Sequence, residues 1–167
     1  SSGVIAVNGR IAPLLEIGAG FHPEFTGREN MYLNGAILGY TEETIRSIES
    51  EVIRFAELEE FIDTPVKYYS TGMYMRLAFS LATAMHPDIL ILDEIFAGGD
   101  AGFVAKAKVR MHELIDRASI MIMVSHDTNL IRTLCNRAIW LDHGKMMADG
   151  APDEVIDQYL VHAAAKN

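Results

Sequence analysis

The sequence predicts an α/β fold built on a parallel sheet, with a separate helical layer ahead of it. Two observations lead there. Ile89–Leu92 and Ile120–Val124 are apolar at every position, the pattern of strands covered on both faces, which antiparallel half-solvated sheets do not show. Helical periodicity separates and follows them, over 101–117 and 129–134, before a further apolar run at 138–141. Strand, helix, strand, helix, strand implies parallel strands joined by right-handed crossovers.

The elements follow in order. Val4–Val7 and Ile11–Leu15 flank Asn8-Gly9, which predicts an antiparallel hairpin. Gly18, Gly20 and Pro23 mark a loop. Thr26 or Gly27 starts a helix with Glu29 in its first turn and Met31, Leu33, Ile37 and Leu38 on its buried side; Gly39-Tyr40 stops it. Thr41 is the N-cap of a second helix, whose first turn is acidic (Glu42, Glu43) and whose apolar positions are Ile45, Ile48, Val52, Ile53 and Phe55. Leu58–Ile62 adds a short turn and Pro65 breaks the chain, so residues 26–64 form the helical layer. From Ser70, Met73, Leu77, Leu81 and Ala84 recur at helical spacing as far as His86-Pro87. After the strand at 138–141, His143-Gly144 turns the chain into 146–148, a second hairpin, and Pro152 opens a terminal helix to about residue 161.

Bulk properties narrow the function. The chain has 167 residues, enough for one domain with a core. Half are apolar and 22% charged, ordinary for a globular protein. A net charge of −9 argues against a phosphate-backbone binder. The longest apolar runs are too short to span a bilayer, and Ser1-Ser2-Gly3 leads into Val4 without the basic region of a secretory leader. The single cysteine, Cys135, excludes an internal disulfide and reads as a small buried hydrophobe.

Ligands of open parallel sheets sit beyond the strands' C-terminal ends, and polar residues gather there. Asp93-Glu94 closes one strand; such a pair can hold Mg²⁺ and orient a water, or can simply be solvated acids. Ser125-His126-Asp127 closes the next; His126 can contact a phosphate or pack against the following helix. Upstream, Ser70-Thr71-Gly72-Met73 begins a helix, a place suited to phosphate as well as to plain N-capping.

Taken in order, Ser70-Thr71-Gly72-Met73, Ile89–Glu94, Ala97-Gly98-Gly99-Asp100 and His126 resemble the signature, Walker B, D-loop and switch-histidine motifs of ATP-binding cassette (ABC) ATPases. Glu16–Asn30 and Tyr69–Phe79, with Gly99–Phe103, are similar to the subfamily that energises export of O-antigen, lipopolysaccharide or teichoic acid. The resemblance covers essentially the whole chain. It implies the nucleotide-binding domain of a P-loop NTPase-like fold, N-terminally truncated: 1–19 as hairpin and Q-loop region, 20–86 as inserted helical subdomain with the signature, 87–167 as catalytic core. It implies ATP and Mg²⁺ as cofactors, with Asp93 and, in the Q-loop place, Glu16 at the metal; Glu94 and His126 as catalytic groups; Ser70, Thr71 and Gly72 on the γ-phosphate of a second copy; and Asp100 coupling the sites across the homodimer. It implies a membrane permease as partner, no nucleic acid, and a cytoplasmic place on the inner face of the plasma membrane. The helical layer would receive the permease, with Phe21, Phe25 and Tyr32 as docking candidates.

The chain departs from the family in three ways. No Gly-x-x-x-x-Gly-Lys-Ser/Thr loop occurs, so this stretch alone is expected not to turn ATP over. A Q-loop glutamine is not visible. The carbohydrate-binding module that members of this subgroup often carry after the catalytic core is not expected within these residues. Two other readings fit parts of the pattern: a non-catalytic interaction module, and a chromosome ATPase of the SMC or Rad50 type. The latter is disfavoured by the unbroken run from Leu15 to Ser70 and by the acidic charge.

Overall fold

The structure is a computed structural model, and it describes residues 3–14, 17–85, 87–93 and 101–165. Two layers share one helix. The first holds α1 (Gly27–Ile37), α2 (Glu42–Ala56) and a 3₁₀ turn, Val66–Tyr68. The second holds a three-stranded parallel sheet of β1 (Ile11–Leu14), β2 (Ile89–Asp93) and β3 (Ile120–Val124), in the order β1-β2-β3. α4 (Ala101–Arg117) connects β2 to β3. α5 (Thr128–Leu134), a β-hairpin of β4 (Ala138–Asp142) and β5 (Lys145–Gly150), and α6 (Pro152–Ala165) complete the chain.

The shared helix is α3 (Thr71–Thr83), capped by Ser70, whose Oγ accepts the Met73 N–H at 3.2 Å. Leu77 and Leu81 lie in the helical core with Met31, Ile45, Val52 and Leu58. Phe79, on the other side, lies in the sheet core with Leu90, Leu92, Phe103 and Met111. Each helix of the first layer has a sequence-coded start. Thr26 and Glu29 form a full capping box on α1, and Thr41 caps α2.

Four local expectations are corrected. The hairpin over 4–15 does not form. Residues 4–7 are irregular, and Ile11–Leu14 runs parallel to β2 instead. The reason is a long-range lock that no local pattern reveals: the Arg10 N–H donates to Asp88 Oδ2 at 2.8 Å, and the Arg10 carbonyl accepts from the N–H groups of Asp88 and Ile89, both at 3.0 Å. Ile37 and Leu38 are exposed, because α1 turns Asn30, Met31 and Gly35 inward and its last turn overhangs the core. β3 is not covered on both faces. Finally, β4 does not join the parallel sheet. It pairs antiparallel with β5 through the predicted His143-Gly144 turn, where both residues have positive φ (49° and 76°), the geometry of a type I′ hairpin.

The sheet's two faces differ. Leu14, Leu90 and Leu92 point into the core under α3 and α4. The register aligns Ile11, Ile89 and Ile120, then Ile91 and Ile122, then Asp93 and Val124, and this opposite face is bare: Ile120, Ile122 and Val124 are 50–60% exposed.

Candidate functional site at the strand tips

Asp93 ends β2 in register with Val124, and His126 stands two residues past Val124. Parallel pairing therefore brings the carboxylate and the imidazole to neighbouring strand tips, as the resemblance implies. Alternation along β2 puts Asp93 on the same face as Ile89 and Ile91, the open one. Both side chains are exposed.

The turn after β3 is built by short polar bonds. The Asp127 N–H donates to Ser125 Oγ at 3.0 Å, and Asp127 Oδ1 accepts the N–H groups of Asn129 and Leu130 at 2.9 and 3.1 Å, capping α5. His126 is held between a strand end and a capped helix. Ser125 and His126 line two clefts. One, of about 500 Å³, lies towards α4 and α5 and includes Lys108 and His112. The other, of about 350 Å³, lies between β3 and β4, with Val124 on one wall and Ile139, Trp140 and Leu141 on the other.

Ser70, Thr71 and Gly72 sit at the N-terminus of α3, in the other layer rather than on a strand tip. Ser70 and Thr71 are exposed there. Glu16, Glu94, Gly98, Gly99 and Asp100 lie outside the described residues. Of the three docking candidates, only Phe25 is exposed, at 40%. Phe21 packs edge-on against Tyr74 with 5.2 Å between ring centroids, and the Tyr32 hydroxyl donates to Glu49 at 2.5 Å; both rings lie against the helical core.

Sequence reading missed the residue that organises the loop before α1. Asn30 is fully buried. Its Nδ2 donates to the carbonyls of His22, Phe25 and Thr26, and its Oδ1 accepts the His22 N–H at 2.6 Å. An amide beside Met31 on the inward side of a helix was the available signal. Nearby, the Tyr74 hydroxyl donates to the Gly18 carbonyl at 2.8 Å; a Cβ on Gly18 would come within 2.7 Å of that ring.

Also unread was the seam between layers. Arg110 stacks on Phe55 at 4.2 Å and pairs with Glu51, and Lys106 lies 4.8 Å over Phe55 and pairs with Glu57.

Among known proteins, the chain is 47% identical over 159 residues to the O-antigen export system ATP-binding protein RfbB of Myxococcus xanthus, covering 95% of this chain and 36% of that protein. It is 43% identical over 162 residues to the ABC transporter protein AbcA of Aeromonas salmonicida, covering 96% and 53%. It is 40% identical over 159 residues to the teichoic acids export ATP-binding protein TagH of Lactococcus lactis, covering 95% and 34%. The chain belongs to the ATP-binding cassette ATPases. Within them its relatives are the export ATP-binding proteins of O-antigen and teichoic acid, and it spans about a third to two thirds of their length. No family profile matches it. The cassette fold is shared with the ATP-binding subunit of an ABC transporter (TM-score 0.67, 23% identity, 90% of this chain and 62% of that one). A dimeric post-hydrolysis cassette bound to ADP and Pi matches with a TM-score of 0.60 at 24% identity, covering 86% of this chain and 63% of that one. Among the described residues, no helix is long and apolar enough to cross a membrane.

Proposed function

We propose that this chain is the hydrolytic and γ-phosphate-sensing portion of an ATPase that drives export of a cell-surface polysaccharide of the O-antigen or teichoic-acid class. The observation that carries this reading is Asp93 and His126 on adjacent parallel strand tips. An exposed carboxylate at a strand end fits Mg²⁺, an ion that keeps most of its waters and takes one or two carboxylates beside phosphate. Bound ATP and Mg²⁺ would supply the transferable phosphoryl group and neutralise its charge. Asp93 would hold the metal shell, joined by Glu16. Glu94 orients and deprotonates the attacking water. His126 contacts the γ-phosphate from the next strand tip. Ser70, Thr71 and Gly72 face the phosphate of a second copy in a two-fold dimer, and Asp100 couples the two sites. The assembly works on the cytoplasmic face of the plasma membrane, against a permease.

The sheet itself supports a missing component. A P-loop is a strand, a glycine-rich loop and a helix. The cleft between β3 and β4 is walled by consecutive residues of both strands. The face carrying Ile89, Ile91, Ile120 and Ile122 leaves Ile120 and Ile122 half exposed, so a further apolar element has surface to cover there. A strand placed in the cleft parallel to β3 would end beside His126, one strand away from Asp93. This chain has no such loop, so it is inactive alone.

The test is steady-state ATP turnover by a protein joining this chain to a strand–Gly-x-x-x-x-Gly-Lys-Ser/Thr–helix segment. Glu94→Gln and His126→Ala are each expected to lower turnover by about 100-fold or more while nucleotide still binds. Unchanged turnover in both variants would overturn the assignment, as would robust turnover by the 167-residue chain alone.

A further inference from the structure

The start of α3 is held from both sides by tyrosines. Tyr69 stands immediately before the cap Ser70, and Tyr74 stands one turn after it, its N–H bonded to the Ser70 carbonyl at 3.0 Å. Both rings are half-buried. The Tyr69 hydroxyl donates to the Phe61 carbonyl and the Tyr74 hydroxyl donates to the Gly18 carbonyl, each at 2.8 Å. Phe61 lies in the turn after α2, and Gly18 in the turn after β1. The short segment Ser70–Met73 is thereby tied at its two ends to two different parts of the chain.

Each tyrosine is seated against a glycine. A Cβ on Gly27 would come within 2.4 Å of the Tyr69 hydroxyl oxygen, and one on Gly18 within 2.7 Å of the Tyr74 ring. Gly18 also has a φ of 87°, which side-chain-bearing residues rarely adopt. Phe21 packs edge-on against Tyr74, and Asn34 Nδ2 donates to the Ala19 carbonyl at 2.8 Å, so the turn that receives Tyr74 is itself fixed to α1. Burial raises the pKa of both hydroxyls, with Asp63 adding to it at Tyr69, which reaches about 12. Both therefore remain donors at neutral pH.

Gly72 is different. Its backbone is helical, and a Cβ there would meet only Ser70 Oγ, at 3.8 Å. Among the described residues nothing uses the missing side chain, although glycine weakens a helix relative to alanine. Ser70 and Thr71 beside it are exposed. The segment between the tyrosines is thus anchored inward and open outward, a rigid edge whose backbone can be approached closely.

We infer that Tyr69 and Tyr74 are positioning residues for ATP hydrolysis, holding Ser70–Met73 in the orientation in which it meets the phosphate of a second copy. The inference rests on the ATPase reading above and adds the side chains outside the motif that set this edge. A misplacement of about 1 Å can lower turnover by about 100-fold, so two hydrogen bonds that are modest for stability weigh heavily on rate. Because the edge serves the partner's nucleotide, a defect in it appears in the opposite site of the dimer.

The experiment uses the complete ATPase. Tyr69→Phe and Tyr74→Phe each delete one hydroxyl and keep the ring, so thermal melting should stay within about 5 °C of the wild type. Each should lower ATP turnover by about tenfold or more. In a Glu94→Gln background, each should weaken ATP-driven dimerisation by about tenfold in light scattering, with the ATP affinity of the separate protomer unchanged. Gly18→Ala, which crowds the Tyr74 ring and spares its hydroxyl, should reproduce the loss. Mixed dimers isolated through two different tags then locate the defect. A Tyr74→Phe protomer paired with a Glu94→Gln protomer retains one native site, so its turnover should equal that of a wild-type protomer paired with Glu94→Gln. A rate about tenfold below that reference would place the tyrosine's effect in its own protomer's site and overturn the proposal. Unchanged turnover and dimerisation in both Phe variants would overturn it as well. A wild type without turnover would instead remove the ATPase reading, and the positioning role with it.

Discussion

In the helical layer, Met31, Ile45, Val52 and Leu58 are at most 1% exposed, and each α-helix there begins on a capping side chain. In the strand layer, Ile120, Ile122, Ile139 and Leu141 are each at least 50% exposed, and among the described residues β3 has an unpaired edge and β4 stands apart from it. One region satisfies itself with local, sequence-near contacts. The other is a parallel sheet with one face bare, an arrangement parallel sheets do not sustain alone. The site residues Asp93 and His126 belong to the unfinished region. The helical layer is therefore closed on itself, whereas the layer that carries Asp93 and His126 leaves an apolar face open.

The sharpest break of this contrast compares a truncation of a buried leucine with one of an isoleucine on the bare face. Leu77→Ala, at a fully buried site, should cost about 2–5 kcal/mol in urea unfolding followed by circular dichroism. Ile122→Ala, half exposed on the bare face, should cost under about 1 kcal/mol in this chain and about 2 kcal/mol or more in a protein that covers the face. Equal costs in the two contexts would mean that nothing covers it. Gly35→Ala should cost about 1–3 kcal/mol, because a Cβ there would come within 2.3 Å of Ile45 Cδ1. Asn30→Ala should cost a similar amount and make the 22–26 loop the first site of limited proteolysis.

The smallest effect is one of pH. The Tyr69 hydroxyl donates to the Phe61 carbonyl at 2.8 Å, and burial, with Asp63 adding, pushes its pKa up to about 12. A group raised on folding stabilises the fold below its unfolded pKa near 10 and ceases to do so as pH rises towards 12. Thermal melting between pH 10 and 12 should fall more steeply for the wild type than for Tyr69→Phe. Parallel curves would show that the tyrosine does not report on this layer.

What was legible in the sequence follows from range. Caps, turns and periodicity are local, so Thr26, Thr41, Ser70 and the His143-Gly144 turn were readable. So were Asp93 and His126, since apolar runs ending in polar residues mark strand tips. The Asn8-Gly9 hairpin misled because a local turn signal lost to a pairing 78 residues away, between Arg10 and Asp88. The third parallel strand misled because order along the chain does not say whether neighbours touch. The Phe55 seam was unread because its partners come together only through tertiary packing, whereas the partners of Asn30 are local, in the loop just before α1, and its inward side was the signal overlooked.

α3 has one more consequence. It starts at Ser70, on the surface, and its later turns are embedded in both cores, through Leu77 and Leu81 on one side and Phe79 on the other. Thirteen helical residues make a rod of roughly 20 Å. Close packing transmits strain and does not absorb it. A displacement imposed on the serine end is therefore felt at Phe79, in the core that also holds Leu90 and Leu92 of β2.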